Sequence, residues 1–139
     1  MTTSISTAEM FAHVAQLMTH SPLHKRWALE ELFRLILPPM QLGQALYETE
    51  NNRLVGFGTF ALMPEDKAKA FIKREYRIKP VDFKSGEHPV LVDVIAPFCH
   101  PNRVARKVRN ALIDLGYQGK PILFHRYYNG RSRAGEVVI

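Results

Sequence analysis

The stretch PVLVDVIAPF, residues 89–98, decides the fold. Val90, Leu91, Val92, Val94 and Ile95 are apolar and mostly β-branched, a combination that favours a strand. An apolar run of this length, interrupted only by Asp93, predicts a strand over residues 89–96 that is buried on both faces. The next segment extends the pattern. Pro101 opens a predicted helix over residues 101–115, and Gly116 closes it. A further strand is expected over residues 121–128. Strand, helix and strand in that order make a βαβ crossover.

Toward the N-terminus the signals change. Ser6 with Glu9 reads as a capping box, and Ile5 with Met10 as its hydrophobic staple. They predict a helix over residues 7–19 with Phe11, Val14, Ala15 and Met18 inward. His20-Ser21-Pro22 breaks it. A second helix is expected over residues 25–36, with Trp27, Leu32, Leu35 and Ile36 on its apolar face and Pro38-Pro39 at its end. Residues 44–49 and 53–62 read as strands around the turn Glu50-Asn51-Asn52. Gly56 and Gly58 mark a bulge or a close backbone approach. Pro64-Glu65-Asp66 opens a third helix to about residue 74. Residues 75–88 read as a loop. Asn129-Gly130 is a turn signal, and residues 135–139 return as a short last strand. The order predicts one α/β domain over residues 1–139, with a mostly antiparallel central sheet flanked by helices.

Composition sets the remaining bounds. The chain has 139 residues, 46% hydrophobic and 23% charged, as expected of an ordinary globular domain. Its single cysteine, Cys99, excludes an internal disulfide and suits a reducing cytoplasm. No run approaches the roughly 20 apolar residues of a membrane span, and the N-terminus reads as no secretion signal. Nineteen Lys and Arg against 13 Asp and Glu give a net charge of +6, which attracts acidic partners of several kinds.

Three places could carry chemistry. Asp93 stands alone among apolar neighbours, where an ionised carboxylate requires a partner. It is either a structural cap or ion pair, or an orienting carboxylate. His24 lies in SPLHKRW, residues 21–27, between a Ser-Pro turn and an apolar helix. It is either structural or a general base or nucleophile whose basicity a carboxylate would raise. Ser21 either bonds His24 or caps the helix. Arg103, Arg106 and Lys107 share one face of the 101–115 helix, opposite Val104, Val108, Leu112 and Leu115. They form a solvated basic face or an anion site near a helix N-terminus. Cys99-His100 has no second ligand pair at metal-binding spacing, so no metal is expected. No nucleophile-elbow or phosphate-loop motif occurs.

The segments SPLHKRW and VDVIAPF resemble the two signatures of the RTX toxin-activating lysine acyltransferases, the hemolysin-activating family. LPPMQLGQALYE, NNRLVGFGTFALM and VDFKSGEHPVLVDVIAPF follow in the family's order, so the resemblance covers most of the chain. It implies a fold similar to the GNAT acetyltransferases. It also implies transfer of a fatty acyl group from acyl-acyl carrier protein to the ε-amine of internal lysines in an RTX protoxin, in the cytoplasm. The family's catalytic histidine falls on His24, its aspartate on Asp93 and its motif serine on Ser21. The donor is a substrate, and no cofactor is implied. An acidic carrier protein and the protoxin are the implied partners, with a possible homodimer. Arg103, Arg106 and Lys107 would then face the carrier or its phosphate, and residues of the 57–62 strand would line the acyl slot. The chain departs from the pattern at Phe60 and Phe83, where the family has Trp, and at Cys99, where it has Gly. It also ends early, at Ile139, which implies a shortened C-terminal region.

Two other functions fit parts of the sequence. A GNAT-like enzyme acting on another protein or a small amine would accept acyl-CoA. A basic nucleic-acid-binding domain would need stacking aromatics on its basic face, and Tyr127 and Tyr128 are the nearest candidates.

Overall fold

The computed structural model describes residues 5–128 and 131–139. Helix α1 spans Thr7–Met18 with Ser6 as its N-cap, the hydroxyl accepting from the Glu9 amide; of the expected capping box this is the half present, and Ile5 is half exposed. Two short α-helical turns come next, α2 (Leu29–Glu31) and α3 (Leu37–Gln41), joined by a π turn over Leu32–Ile36. The hairpin strands are β1 (Ala45–Glu50) and β2 (Arg53–Met63). Helix α4 covers Glu65–Ile72, strand β3 His88–Ile95, helix α5 Pro101–Leu112, and strands β4 and β5 Pro121–Tyr128 and Arg131–Val138.

The five strands form one sheet in the order β1-β2-β3-β4-β5. Every neighbouring pair is antiparallel except β3 and β4, the parallel pair of the predicted crossover. The α/β architecture with a mostly antiparallel sheet is therefore as expected, and it is consistent with a GNAT-like fold. β2 is the longest strand, with 11 residues. Its odd-numbered residues Phe57, Ala61 and Met63 face α1, α3 and α4; Phe60 faces α5. Phe57 and Phe60 are at most 1% exposed. Burial of each such side chain stabilises the fold by about 1.5–3 kcal/mol. Residues 57–61 of β2 are thus core.

Gly58 sets the spacing on the α5 side. A Cβ there would lie 2.5 Å from Cγ1 of Val104, and one on Gly56 would lie 2.6 Å from Cγ2 of the same valine. Both glycines mark a close backbone approach, as expected. The β1–β2 register also shifts between Glu48 and Thr49, opposite Gly56.

Several boundaries differ from the sequence expectations. The second helix begins at Leu29, not near Lys25, because residues 21–27 fold into successive turns. In these, the Ser21 carbonyl accepts from the His24 and Lys25 amides at 3.0 and 2.8 Å. The helix does not end at Pro38-Pro39 but runs through both to Gln41. The π turn explains this. The Leu37 amide reaches back five residues to Leu32, so the following prolines occupy first-turn positions where no N–H partner is required. Leu115 lies in a second π turn, Ile113–Tyr117, and is 58% exposed instead of buried. Gly116 has φ 98°, the left-handed conformation of a helix stop. The Asn129-Gly130 turn signal lies outside the described residues, and β5 begins at Arg131, earlier than residue 135.

The segment read as a loop, residues 75–88, is a packed element. Ile78 and Phe83 are at most 1% exposed, and Pro80–Phe83 forms a 3₁₀ turn. The buried Asp82 ties it together, accepting from the Tyr76 hydroxyl at 2.6 Å and the Lys79 amide at 2.8 Å, with Lys67 at 3.6 Å. Phe60 and Phe83 are both fully buried, so an aromatic side chain fills each of these places in the core.

Candidate active site

The parallel ladder between β3 and β4 is short. It joins only Val90 with Leu123 and Leu91 with Phe124. Beyond Leu91, β3 pairs only with β2 among the described residues, and the sheet opens. This is why Leu91–Val94 are half-buried and not buried on both faces as expected. The β2–β3 register also slips here. Thr59 pairs with Asp93 but Phe60 with Leu91, which leaves Val92 as an extra residue on β3. Such a bulge re-aims the adjoining side chains. Asp93 therefore sits one residue from a bulge and two residues past the parting of the strands.

His24 meets Asp93 from the other layer. The turn over residues 21–27 carries it above the sheet, with the Trp27 amide donating to the His24 carbonyl at 3.1 Å. Trp27 packs its ring against the imidazole at a centroid distance of 4.8 Å. The Ser21 Oγ lies 2.6 Å from Nδ1 of His24, and Nε2 lies 3.4 Å from Oδ1 of Asp93. Ser21, His24 and the Asp93 side chain are 6%, 7% and 13% exposed. The three sequence candidates thus form one line, Ser21–His24–Asp93, although 69 residues separate the last two.

The electrostatics follow from the geometry. Burial raises the Asp93 carboxyl above the ordinary carboxylate range, while His24 and Arg34 act to lower it and Glu31 to raise it. Beside an ionised Asp93, neutral His24 carries its proton on Nε2, and Nδ1 accepts from the Ser21 hydroxyl. The arrangement holds an imidazole in one tautomer beside a carboxylate, which suits proton transfer or nucleophilic attack. Two buried oxygens at this place have no partner among the described residues, Oδ2 of Asp93 and Oγ1 of Thr59. Thr59 was not singled out in the sequence. Its only signal is a hydroxyl in the otherwise apolar run GFGTFAL.

The basic face of α5 is divided. Arg103 is paired with Glu48 and Glu50, each at 3.1 Å, and Lys107 donates to the Tyr47 carbonyl at 2.8 Å with Glu48 at 3.9 Å. Arg106 has no carboxylate within 4.0 Å among the described residues. It borders an apolar groove of about 380 Å³ between α5, β4 and β5, whose floor includes Leu91, Val108, Ile122 and Phe124. Cys99 is half-buried on the α5 side of β2, and burial pushes its thiol up, so it is a poor nucleophile. The His100 Nδ1 accepts from the Asn102 amide and so caps α5. Among the described residues no helix is long and apolar enough to cross a membrane.

Comparison with known proteins identifies the family. Residues 3–124 match the model of the RTX toxin acyltransferase family. The chain is similar to the lysine-acyltransferase RtxC of Vibrio cholerae, with 32% identity over 82% of this chain and 74% of the relative. It is 31% identical to the RTX-III toxin-activating lysine-acyltransferase ApxIIC of Actinobacillus pleuropneumoniae, over 70% of this chain and 56% of that one. It is 29% identical to the protein-lysine palmitoyltransferase CyaC of Bordetella bronchiseptica, over 73% of this chain and 54% of that one. The chain thus spans about three quarters of the first relative and little more than half of the others. With the family model covering most of its length, the chain belongs to the RTX toxin acyltransferase family.

Proposed function

We propose that this chain is a protein-lysine acyltransferase that moves a fatty acyl group from acyl-acyl carrier protein to a lysine ε-amine of an RTX protoxin. The observation that carries the reading is the buried Ser21–His24–Asp93 line, built from the chain's two signature segments. Its relatives support the acceptor class, since their names describe toxin-activating and protein-lysine acyl transfer.

The chemistry requires a base. A lysine with an ordinary pKa of about 10.4 costs roughly 5 kcal/mol to deprotonate at pH 7. The amine nitrogen attacks the thioester carbonyl, the C–S bond breaks, and an amide forms. One ammonium proton leaves to solvent before attack; His24 takes the second as the C–N bond forms and delivers it to the departing thiolate. Ser21 caps Nδ1, the nitrogen that must receive the proton, so it passes the proton on or yields its place. Asp93 stabilises the imidazolium in between. Direct attack by His24 on the thioester, with a transient acyl-imidazole, uses the same residues. No resident cofactor or metal takes part.

The donor reading uses the α5 side. The acyl chain would occupy the apolar groove floored by Leu91, Val108, Ile122 and Phe124, with Arg106 at its rim for a carrier phosphate or an acidic carrier surface. The gap where β4 leaves β3 would admit the thioester to the His24 face. Because the acceptor is a toxin precursor, the reaction belongs in the cytoplasm before secretion.

The test is intact-mass spectrometry of an RTX protoxin incubated with this protein and either acyl-acyl carrier protein or acyl-CoA. Acyl mass gained from the carrier donor alone is the expected result. Gain from acyl-CoA alone would assign a GNAT-like N-acyltransferase instead.

A further inference from the structure

The two unpartnered buried oxygens near His24 belong together. Thr59 and Asp93 are direct partners across the antiparallel β2–β3 ladder, where opposed Cβ atoms lie about 4.5–5.5 Å apart. Thr59 is fully buried, on the same face of β2 as Phe57 and Ala61. Its Oγ1 and the Oδ2 of Asp93 both lack a partner among the described residues. A valine would fill the same space without burying a hydroxyl, so packing gives no reason for threonine. Beside the bulge at Val92, Oδ1 of Asp93 meets His24 and Oδ2 is left buried.

We propose that Thr59 is a positioning residue for Asp93, its hydroxyl donating to Oδ2 through one bridging water, while Oδ1 faces His24. The proposal rests on the reading of Asp93 as the partner of His24. A donor on Oδ2 fixes the rotation of the carboxyl plane and favours the ionised form against burial. The other charged groups acting on Asp93 are His24 from the 21–27 turn and Arg34 and Glu31 from the helical run over residues 29–41. Thr59 is the β2 residue paired with it. Thr59 acts through Asp93 and needs no contact with substrate.

The experiment follows the Asp93 carboxyl carbon by ¹³C NMR through a pH titration of the full chain, in the unmodified protein and in Thr59→Val, Thr59→Ala and Thr59→Ser. Thr59→Val and Thr59→Ala are expected to move the Asp93 titration to higher pH, and Thr59→Ser to restore it. In acyl transfer, Thr59→Val should lower kcat about tenfold with KM unchanged and shift the acid limb of the rate profile upward, on the scale of outer-shell orienting groups. An Asp93 titration that stays in place in Thr59→Val and Thr59→Ala, with Tm raised in the valine variant, would overturn the proposal. That result would make the hydroxyl a mere burial cost. The titration uses unliganded protein, so an absence of acyl transfer would count against the functional reading and leave the Thr59–Asp93 link separately decided.

Discussion

The Oγ of Ser21 lies 2.6 Å from Nδ1 of His24, so the nitrogen opposite Asp93 is already engaged before any substrate arrives. The contact is built locally, because the His24 amide donates to the Ser21 carbonyl in the same turn. Removing the hydroxyl in Ser21→Ala leaves Nδ1 uncapped and the ring free to reorient. Acyl transfer is expected to fall about 10–100-fold in kcat, against at least about 10³-fold for His24→Gln, given the usual contribution of a positioned base. Steady-state kinetics on both variants check this. Equal losses would mean that Ser21 and His24 act as one unit.

Two buried aspartates should respond to pH in opposite directions. Burial raises the Asp93 carboxyl in the folded protein. Its contribution to stability is therefore present below the unfolded-state pKa, near 3.9, and is lost as pH rises through the higher folded value. Asp93→Asn should be more stable than the unmodified chain at pH 7, with the gap closing toward pH 4 and below.

Asp82 behaves the other way. Burial alone would raise it, but the Tyr76 hydroxyl, the Lys79 amide and Lys67 together hold its carboxyl below the ordinary range. Its contribution is present above the unfolded-state pKa and is lost as pH falls through the lower folded value. Asp82→Asn should cost about 1–3 kcal/mol at pH 7 and less in acid. Urea unfolding across pH reads both variants.

Close packing at Gly58 predicts a size-sensitive sheet. Gly58→Ala places a methyl 2.5 Å from Val104 Cγ1, so α5 must shift. A loss of about 1–3 kcal/mol is expected, the range for overpacking a core. Adding Val104→Ala should return part of it, whereas independent sites would simply add. Thermal unfolding of the two single variants and the double variant measures the coupling.

The paired and unpaired cations of α5 should separate in donor kinetics. Arg106→Ala should raise KM for the acyl donor about fivefold, consistent with one exposed charge contact. Arg103→Ala should act mainly on stability, since Arg103 is occupied by Glu48 and Glu50. A larger KM effect from Arg103 would show that these carboxylates release it to the donor.

Much of the fold was legible in the sequence because local rules governed it. The Ser6 cap, the hairpin at Asn51-Asn52, the apolar β3 and the Val104–Val108–Leu112 face each follow from spacing alone. Asp93 stood out as a lone carboxylate in an apolar strand that calls for a partner, and His24 by its Ser-Pro turn and neighbouring Trp27, but the roles assigned to them came from the resemblance to a known family. The features that escaped depended on tertiary contact. Pro38 and Pro39 read as a stop, yet the preceding π turn lets the helix pass through them. Asp82 read as a loop residue, yet it is buried and anchors a 3₁₀ turn. Arg103 and Lys107 read as a free basic face because Glu48 lies more than fifty positions away in the chain. Thr59 gave only the faint signal of a hydroxyl in an apolar run, since its significance lies in the register of β2 against β3.

The most direct measurement is the initial rate of acyl transfer from acyl-acyl carrier protein to protoxin lysines, by intact mass, for the unmodified chain, His24→Gln and Asp93→Asn. The prediction is transfer by the unmodified chain and at least about a 10²-fold loss in both variants, with Asp93→Asn folded and more stable at pH 7. Transfer undiminished in either variant would contradict the assignment of the Ser21–His24–Asp93 line as the active centre.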